Sequence, residues 1–445
     1  MGRLFGTDGV RGVANAELDC DLAFRLGQAA ATVLTETTRH KPKILIGKDT
    51  RISSDMLEAA LTAGVCSVGG DAVSLGVIPT PAVAYLVKEY AADAGFVVSA
   101  SHNPFEHNGI KIFNGEGYKL SDEIEERVEN LVLDGGITLK TGAEIGRSSV
   151  AIGASDEYVR HLCSVAGELS GMKLAFDCAN GASSETLVKL VHTLGVKAHI
   201  INNDPDGLNI NTNCGSTHPE ELCRYVKEND CEAGFAFDGD ADRMLAVDEN
   251  GRLIDGDMIL AIFANYMKEK GTLANDTLVC TTMSNLGLFE MCKNNGIGTL
   301  VTDVGDRYVL EGMLEKGHLL GGEASGHVIL KSFATTGDGQ AAAVFLMNIM
   351  RESGKTLSEL ANVMTRYPQV MVNAKVTPEV KKSFREDAAV KAAIAAAERQ
   401  LGEAGRILVR ASGTEPLVRV MVEGKNQEEI TELANRVANQ ILALV

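Results

Sequence analysis

The feature that most constrains this chain is a repeated order of elements, in which a short apolar strand runs into a polar loop and then into a helix. In the first part of the chain such strands lead into GKDTR, GVIPTP and SASHNP. The same order returns before DCANGAS, NNDPDG and DGDADR, and again before CTTMSN, TDVGDR and GGEASGH. Strands that alternate with helices predict sheets with parallel pairing, and ligands bind at the strand ends of such sheets. The sequence therefore predicts an α/β fold with three tandem, similar α/β domains built on mixed sheets.

The pattern changes near Pro368, where the order becomes strand, helix, hairpin and helix. Helical periodicity places five apolar residues of the last helix on one face, namely Ile430, Leu433, Ala434, Val437 and Ile441. This order predicts a C-terminal α+β domain. With further boundaries near the glycine-rich residues 142–155 and after Gly251, the predicted domains are 1–150, 151–252, 253–366 and 367–445.

Composition narrows the classes of function. A formal net charge of −18 argues against a nucleic-acid partner, although a few placed cations could still hold a small anionic ligand. The nine cysteines form no C-x-x-C pair, which favours reduced thiols over a zinc site, and no apolar run is long enough to span a bilayer. We therefore predict a cytoplasmic protein with no membrane partner. The chain also lacks the P-loop, the G-x-G-x-x-G turn and the G-x-S-x-G elbow, which disfavours NTPases, dehydrogenases and α/β-hydrolases.

The clearest chemical signal is the loop DGDADR between two apolar runs. Its carboxylates alternate along the loop at Asp238, Asp240 and Asp242. Oxygen ligands of this kind suit a hard divalent cation, and without one the carboxylates would repel each other and their pKa values would rise. An EF-hand is one alternative, but Arg243 stands where that loop needs glycine and strands rather than helices flank it. A solvated acidic turn is the other alternative.

Two further loops carry polar groups suited to a phosphorylated sugar. RASGTEPLVR can offer hydroxyls, backbone N–H groups and flanking guanidinium groups to an anion, from Arg410, Ser412, Gly413, Thr414 and Arg419. GEASGH presents a carboxylate, a hydroxyl and an imidazole to sugar hydroxyls, from Glu323, Ser325 and His327. A plain Ser-Gly hairpin turn is the alternative for the first loop, and a structural loop is the alternative for the second.

Ser101 stands in SASHNP, directly after an apolar run and before a turn that Pro104 restricts. A strand that ends in this way presents a hydroxyl at the carboxyl end of a sheet, so Ser101 is a candidate nucleophile. An ordinary turn serine is the alternative, because serine favours turns through local hydrogen bonds.

Together the motifs SASHNP, DGDADR, GEASGH and RASGTEP resemble, in this order and over essentially the whole chain, the α-D-phosphohexomutase superfamily. The stretches FGTDGVRG, TTMSNLGLFE and VGDRYVLE are most similar to the branch that acts on glucosamine phosphates. Asp303 precedes VGDR where relatives often carry a lysine, and we assign it no role. The resemblance implies an active site in a central cleft of the domains.

The resemblance also implies roles for the site residues. Ser101 would be a phosphoserine that, with the three aspartates, holds one Mg²⁺ per active site. Lys111 would act as general acid/base. The remaining catalytic candidates are Arg243, His102, Arg11 and Lys48. The GEASGH loop would bind the sugar, and the RASGTEP loop would bind its phosphate.

The implied reaction interconverts glucosamine 6-phosphate and glucosamine 1-phosphate through a 1,6-bisphosphate that reorients in the site. Glucosamine or glucose 1,6-bisphosphate would serve as intermediate or activator, a hexosamine phosphate would be the small-molecule partner, and the protein would be a monomer or homodimer. The alternatives are a mutase for glucose or mannose phosphates, a phosphatase, and a sugar-phosphate sensor without turnover.

Overall fold

The computed structural model describes residues 4–6, 8–412 and 416–445, with the side chain of Glu403 left out of the description. The chain forms two compact units. One unit contains the chain up to Met283 together with Gly296–Val363, and the other contains Ser284–Asn295 together with Met364–Val445. The second unit therefore combines a short internal segment with the C-terminal part of the chain.

A mixed sheet with helices packed on it begins the first unit. Its elements are β1 (Val10–Val13), α1 (Cys20–Leu34), β2 (Lys43–Lys48), α2 (Ser54–Ser67), β3 (Asp71–Val77), α3 (Thr80–Glu89), β4 (Ala94–Val98), β5 (His107–Asn114), α4 (Asp122–Asp134) and β6 (Ser148–Val150). The strand order is β1-β5-β4-β2-β3-β6. β2 pairs parallel with β3 and β4, whereas β5 runs antiparallel to both β4 and β1. The loop of Ser101 therefore connects two adjacent antiparallel strands.

A second sheet follows in the same unit. Its elements are α5 (Ala154–Cys163), β7 (Lys173–Asp177), α6 (Ser183–Leu194), β8 (Lys197–Ile201), α7 (Glu220–Glu228), β9 (Ala233–Phe237), β10 (Met244–Asp248) and β11 (Leu253–Ile254). The strand order is β11-β10-β9-β7-β8, with β7 parallel to β8 and β9. β9 and β10 form an antiparallel hairpin whose residues are all buried. This burial accounts for the two apolar runs on either side of DGDADR.

The third sheet completes the first unit. Along this part of the chain lie α8 (Gly256–Glu269), β12 (Thr277–Thr281), α9 (Leu286–Asn294), β13 (Gly298–Thr302), α10 (Asp306–Lys316), β14 (Leu320–Gly322), β15 (Val328–Leu330), α11 (Gly339–Ser353) and α12 (Leu357–Ala361). The strand order is β13-β12-β14-β15, and the β14–β15 hairpin closes on the GEASGH loop. Helix α9 belongs to the second unit rather than to this sheet.

The rest of the second unit is an α+β structure. It contains β16 (Gln369–Lys375), α13 (Pro378–Ser383), α14 (Ala388–Leu401), β17 (Gly405–Ala411), β18 (Leu417–Gly424) and α15 (Gln427–Leu442). The three strands pair antiparallel in the order β16-β18-β17. The five apolar residues predicted to share one face of the last helix are all buried in the core of this unit.

The predicted fold class is confirmed by three mixed sheets with helices followed by an α+β unit. One local interpretation is wrong: the glycines of FGTDGVRG indicate a turn that carries Asp8 and Arg11, but Val10–Val13 forms β1 and places Arg11 on a strand. The three predicted domain boundaries stay a prediction. All nine cysteines are free, as the sequence indicated. Among the residues that the structure describes, no helix is long and apolar enough to cross a membrane.

Candidate active site

The loops after β4 and β9 meet at Ser101. Its Oγ donates a hydrogen bond to Oδ2 of Asp238 at 2.6 Å, and the serine is only 1% exposed. The two residues are far apart in the sequence, but each lies directly beyond a strand of its own sheet. The first unit therefore brings the predicted nucleophile and the predicted metal loop into direct contact.

The acidic loop fits a divalent cation. One ligand oxygen from each of Asp238, Asp240 and Asp242 lies within 4.8 Å of the others, and all three residues are buried. Oδ1 of Asp240 and Oδ1 of Asp242 are buried without a hydrogen-bond partner in the described part of the chain. Burial, together with the neighbouring carboxylates of Asp242 and Asp240, raises the pKa of Asp238 to about 8. Buried oxygens of this kind are the ligands that Mg²⁺ binds, so the donor set fits the expected ion.

Gly239 and Thr80 hold the acidic loop in place. A Cβ on Gly239 would lie 2.5 Å from the carbonyl oxygen of Ser101, so only glycine permits this approach of the two loops. Thr80, at the start of α3, donates its backbone N–H to the carbonyl of Asp240 at 3.0 Å and its hydroxyl to Oδ2 of the same residue. The first sheet thus fixes the conformation of a loop that belongs to the second sheet.

Lys111 lies among the carboxylates. It is on β5 opposite Val97 of β4, and its Nζ lies 2.7 Å from Oδ2 of Asp240 and 3.1 Å from Oδ2 of Asp242. Burial would lower the pKa of this lysine, but Asp240, Asp242 and Asp8 raise it well above its usual value. The ammonium group is therefore held in its charged form at the position predicted for the general acid/base.

Lys111 is part of a closed ring of alternating basic and acidic side chains, here called the ion-pair ring. Its six members, in order, are Lys111, Asp8, Lys119, Asp306, His327 and Asp242. Nζ of Lys111 lies 3.1 Å from Oδ2 of Asp8, and Nζ of Lys119 lies 2.5 Å from Oδ1 of the same residue. His327 closes the ring, with Nε2 3.6 Å from Oδ2 of Asp306 and Nδ1 3.8 Å from Oδ2 of Asp242. The ring links the predicted sugar loop to the metal loop.

The other catalytic candidates differ in their surroundings. His102 Nδ1 lies 3.3 Å from Ser101 Oγ, and burial with the nearby Arg243 and Arg11 lowers the pKa of this histidine to about 4. The pKa of Arg243 is raised despite burial, because Asp238 and other carboxylates surround it. Arg11 pairs with Asp8. Arg243 and Arg11 thus place two cations near His102, while His102 itself is held in its neutral form.

Lys48 makes its ion pairs outside this cluster. Its Nζ lies 2.6 Å from Oδ1 of Asp55 and 2.5 Å from Oε2 of Glu58, two acids of α2. Burial would lower its pKa, but hydrogen bonds to these two acids raise it. A role for Lys48 in the active site stays a prediction.

The GEASGH loop is held by its own backbone. Glu323 N–H donates to the His327 carbonyl and Gly326 N–H donates to the Glu323 carbonyl, each at 3.0 Å. Oε1 of Glu323 accepts from the backbone N–H of Gly305 at 3.0 Å, whereas Ser325 is exposed. His327 is buried and its Nε2 accepts from the backbone N–H of Gly337 at 3.1 Å. Ser325 is therefore the most accessible of the three predicted sugar contacts.

The second unit contains the predicted phosphate loop. Arg410 and Arg419 are directly opposite each other on β17 and β18, and burial with the nearby Arg419 lowers the pKa of Arg410. The backbone N–H of Ser412 donates to the carbonyl of Leu417 at 2.9 Å. Gly413 and Thr414 lie outside the described residues. Two like charges placed side by side cost free energy that a bound anion would offset.

Sequence reasoning missed several residues of this site. Asp8 and Asp306 lie in FGTDGVRG and VGDRYVLE, two stretches that the resemblance already singled out, but their roles in the ion-pair ring were not predicted. Lys119 lies between β5 and α4 and carries no motif, so no local signal could have found it.

Comparison with known proteins agrees with this fold. Family models described as phosphoglucomutase/phosphomannomutase alpha/beta/alpha domain I, domain II and domain III, and as the C-terminal domain, match residues 2–136, 156–251, 255–367 and 371–440. The chain belongs to the phosphoglucomutase/phosphomannomutase family, which confirms the resemblance to the phosphohexomutases.

Curated relatives point to one branch of the family. Proteins named phosphoglucosamine mutase from Clostridium perfringens and Clostridium novyi are each 56% identical to this chain. The first alignment covers 100% of this chain and 99% of the relative, and the second covers 99% of each. The protein of that name from Acetivibrio thermocellus is 55% identical over 98% of this chain and 97% of the relative.

Solved structures share the fold. A phosphoglucomutase/phosphomannomutase family protein from Burkholderia thailandensis has a TM-score of 0.83 at 24% identity, over 98% of this chain and 97% of that one. Aspergillus fumigatus N-acetylphosphoglucosamine mutase, in complex with GlcNAc-6P and magnesium, has a TM-score of 0.73 at 19% identity. The match covers 99% of this chain and 95% of that one. A further structure of that fungal enzyme contains glucose 1,6-bisphosphate. At these identities the likeness concerns the fold alone.

Proposed function

We propose that this protein is an isomerase that interconverts glucosamine 6-phosphate and glucosamine 1-phosphate through a phosphoserine at Ser101. The observation that carries the proposal is the buried 2.6 Å hydrogen bond from Ser101 Oγ to Asp238, inside a carboxylate group that fits a divalent cation. The relatives named phosphoglucosamine mutase, at 55–56% identity over almost the whole chain, support glucosamine phosphate as the substrate.

The chemistry takes two half-reactions. In the first, the free hydroxyl of the sugar phosphate attacks the phosphorus on Ser101, the bond from phosphorus to Ser101 Oγ breaks, and the hydroxyl proton passes through the general acid/base to the freed Oγ. The product is glucosamine 1,6-bisphosphate, which reorients without leaving. In the second, Ser101 Oγ attacks the other phosphorus, the bond to the sugar oxygen breaks, and the proton of Oγ passes back through the general acid/base to that oxygen. The first half-reaction moves one phosphoryl group from Ser101 to the sugar, and the second returns one to Ser101. The phosphoserine is therefore restored in each cycle and no nucleotide is consumed.

Each candidate residue has a task that its surroundings support. Ser101, Asp238, Asp240 and Asp242 would hold Mg²⁺, which when bound supplies electrostatic stabilisation to the phosphoryl oxygens. Lys111 is proposed as the group that moves the proton, and Arg243 and Arg11 as cations that neutralise phosphoryl charge. His102, with its lowered pKa, presents a neutral ring beside Ser101 Oγ.

The remaining loops are proposed to bind substrate. Glu323, Ser325 and His327 would contact the sugar, while the phosphate that is not transferred would bind Arg410, Ser412, Gly413, Thr414 and Arg419. Because the sugar turns over between the half-reactions, the same phosphate loop must accept either end. We further propose one Mg²⁺ per site, activation by glucosamine or glucose 1,6-bisphosphate, a cytoplasmic monomer or homodimer, and a product that feeds UDP-N-acetylglucosamine and cell-wall precursor synthesis.

The proposal is tested with the Ser101→Ala variant and with a comparison of substrates. Ser101→Ala should lose essentially all mutase turnover, because the phosphoryl carrier is gone. It should keep its melting temperature, because the change removes only one buried hydroxyl. Full turnover by this variant would refute the mechanism. Glucosamine phosphates should give a kcat/KM well above those of glucose and mannose phosphates. Near-equal values would favour the alternative, a phosphoglucomutase/phosphomannomutase, and absence of any turnover would favour a sensor.

A further inference from the structure

The backbone of Ser101 adopts a left-handed conformation, with φ of +54°. This conformation is unfavourable for a residue that carries a Cβ, so it persists only where the surroundings hold it. It also decides where the side chain points, because a change of φ at Ser101 would swing Oγ away from Asp238. The contacts that fix this backbone therefore bear on the reaction.

Two buried side chains hold the carbonyl groups of the serine loop. The carbonyl oxygen of Ser101 accepts a hydrogen bond from Nη2 of Arg51 and another from Nδ2 of Asn211, both at 2.9 Å. The same two donors reach the carbonyl of Asn103, at 2.9 Å and 3.0 Å, and Nη1 of Arg51 donates to the carbonyl of Pro104 at 2.6 Å. We call Arg51 and Asn211 the carbonyl clamp.

Asp49 anchors both sides of the Ser101 backbone. Its Oδ2 accepts from Nε of Arg51 at 2.8 Å and from Oγ of Ser99 at 2.6 Å, and Ser99 Oγ in turn accepts from the backbone N–H of Ser101 at 3.0 Å. The side chains of Asp49 and Arg51 have no exposed surface. Asp49 balances the charge of Arg51, and the guanidinium group of Arg51 donates hydrogen bonds to three carbonyl oxygens of the serine loop. Arg51 therefore acts as a hydrogen-bond donor to this loop, and other cations remain to bind phosphate.

Asn211 connects the serine loop to the metal loop. It lies beyond β8 of the second sheet, in a left-handed conformation with φ of +59°, and its backbone N–H donates to the carbonyl of Ala179 at 2.9 Å. A Cβ on Gly239 would lie 2.8 Å from Nδ2 of Asn211 as well as 2.5 Å from the Ser101 carbonyl. The clamp thus sets the position of the serine relative to the aspartates.

We propose that Arg51 and Asn211 are positioning residues that keep Ser101 in its left-handed conformation and so direct Oγ, with the phosphate it carries, toward the carboxylate site. This inference rests on the proposed function. Transfer requires the reacting atoms to stay aligned, and a misplacement of about 1 Å can lower a rate about a hundredfold. Loss of the clamp should therefore slow transfer and leave sugar-phosphate affinity unchanged, since neither residue belongs to the predicted sugar or phosphate loops.

The test uses Asn211→Gly, Asn211→Asp and Arg51→Lys in the full-length protein. Glycine at position 211 removes the amide but tolerates the left-handed backbone. Aspartate at the same position replaces the amide donor by a carboxylate that faces two carbonyl oxygens. Lysine at position 51 keeps the positive charge beside Asp49 but loses the several N–H donors of the planar guanidinium group. After phosphorylation with glucose 1,6-bisphosphate, kcat per phosphorylated molecule should fall about ten- to a hundredfold, and most in Asn211→Asp. KM should stay within about twofold, and the ³¹P resonance of the phosphoserine should shift or broaden.

Matched controls come from the same unit. Asn348 donates to the carbonyl of Val165 at 2.7 Å, and Arg351 donates to the carbonyls of Glu168 and Ser170 at 3.0 Å and 2.6 Å. Asn348→Asp removes a part-buried bond and Arg351→Lys removes two bonds at the surface, in both cases outside the described site. Both variants should change the melting temperature only, with kcat per phosphorylated molecule and the ³¹P spectrum as in the wild type.

The outcomes separate the clamp from the proposed function. If Asn211→Gly and Asn211→Asp both turn over within twofold of the wild type per phosphorylated molecule, the clamp has no positioning role. The two Asn211 variants decide this even if Arg51→Lys does not fold. A parallel loss in the two controls would mean that general destabilisation explains the result, which also overturns the proposal. A wild-type protein without phosphoserine and without turnover would instead overturn the proposed function, and the clamp with it.

Discussion

The substitution Gly239→Ala probes the closest approach between the serine loop and the metal loop. The added Cβ would lie 2.5 Å from the carbonyl oxygen of Ser101, 2.8 Å from Nδ2 of Asn211 and 2.9 Å from Cδ1 of Ile210. An ordinary contact needs about 3.4 Å or more, so the loops must separate by at least about 0.9 Å. Overpacking of this kind costs about 1–3 kcal/mol of stability, and a shift of this size at reacting atoms lowers kcat about ten- to a hundredfold.

The assay for Gly239→Ala combines thermal unfolding with kcat per phosphorylated molecule. Gly27→Ala is the matched control, because its Cβ would lie 2.6 Å from the carbonyl oxygen of Leu61, where α1 packs on α2. Both variants should lose stability, but only Gly239→Ala should lose kcat beyond its loss of folded protein. Wild-type kcat in folded Gly239→Ala would refute the claim that this contact positions the serine.

Three further predictions address the metal, the phosphate loop and the pH dependence of stability. Adding Mg²⁺ to metal-free protein should raise the melting temperature, and Asp240→Asn should abolish most of this rise; an equal rise in both proteins would place the ion elsewhere. Arg410→Ala should raise KM about tenfold or more without lowering the melting temperature, since Arg410 and Arg419 are paired like charges; an unchanged KM would remove this loop from substrate binding. Burial raises the pKa of Asp338, which accepts from the hydroxyl of Tyr158, to about 6. Its contribution to stability is therefore present below pH about 4 and lost as the pH rises through about 6. The pH dependence of the unfolding free energy should therefore differ between the wild type and Asp338→Asn by about 3 kcal/mol over this range, and identical denaturation profiles would contradict the assignment.

The sequence allowed the fold class to be predicted because buried strands and their polar ends leave local signals. The apolar runs around DGDADR are the wholly buried strands β9 and β10, and the amphipathic last helix packs on the face that its periodicity indicated. β5 carried a weaker signal, because its sequence HNGIKIFN begins with turn-forming residues. The membership of Ser284–Asn295 in the second unit had no sequence signal, since it depends on contacts with residues about 80 or more positions away.

The same distinction applies to the site. Ser101 and the three aspartates were found because each lies within a short motif whose chemistry is recognisable from neighbouring residues. Arg51 ends the polar loop GKDTR, and its contact with the carbonyl of Ser101 could not be inferred from a separation of 50 residues. Lys119 was missed for the same reason, because its partner Asp306 is 187 residues away. Long-range charge pairing is decided by the packing of the sheets and leaves no local pattern.

The most direct measurement of the proposed mechanism follows a phosphoryl group through Ser101. The purified protein is labelled with ³²P-glucose 1,6-bisphosphate, digested and mapped, and a second sample is chased with unlabelled glucosamine 6-phosphate. We predict one label, on the peptide that contains Ser101, and its transfer to sugar phosphate at a rate at least equal to kcat. A label on another residue, or a label on Ser101 that leaves more slowly than kcat, would contradict a phosphoserine mechanism.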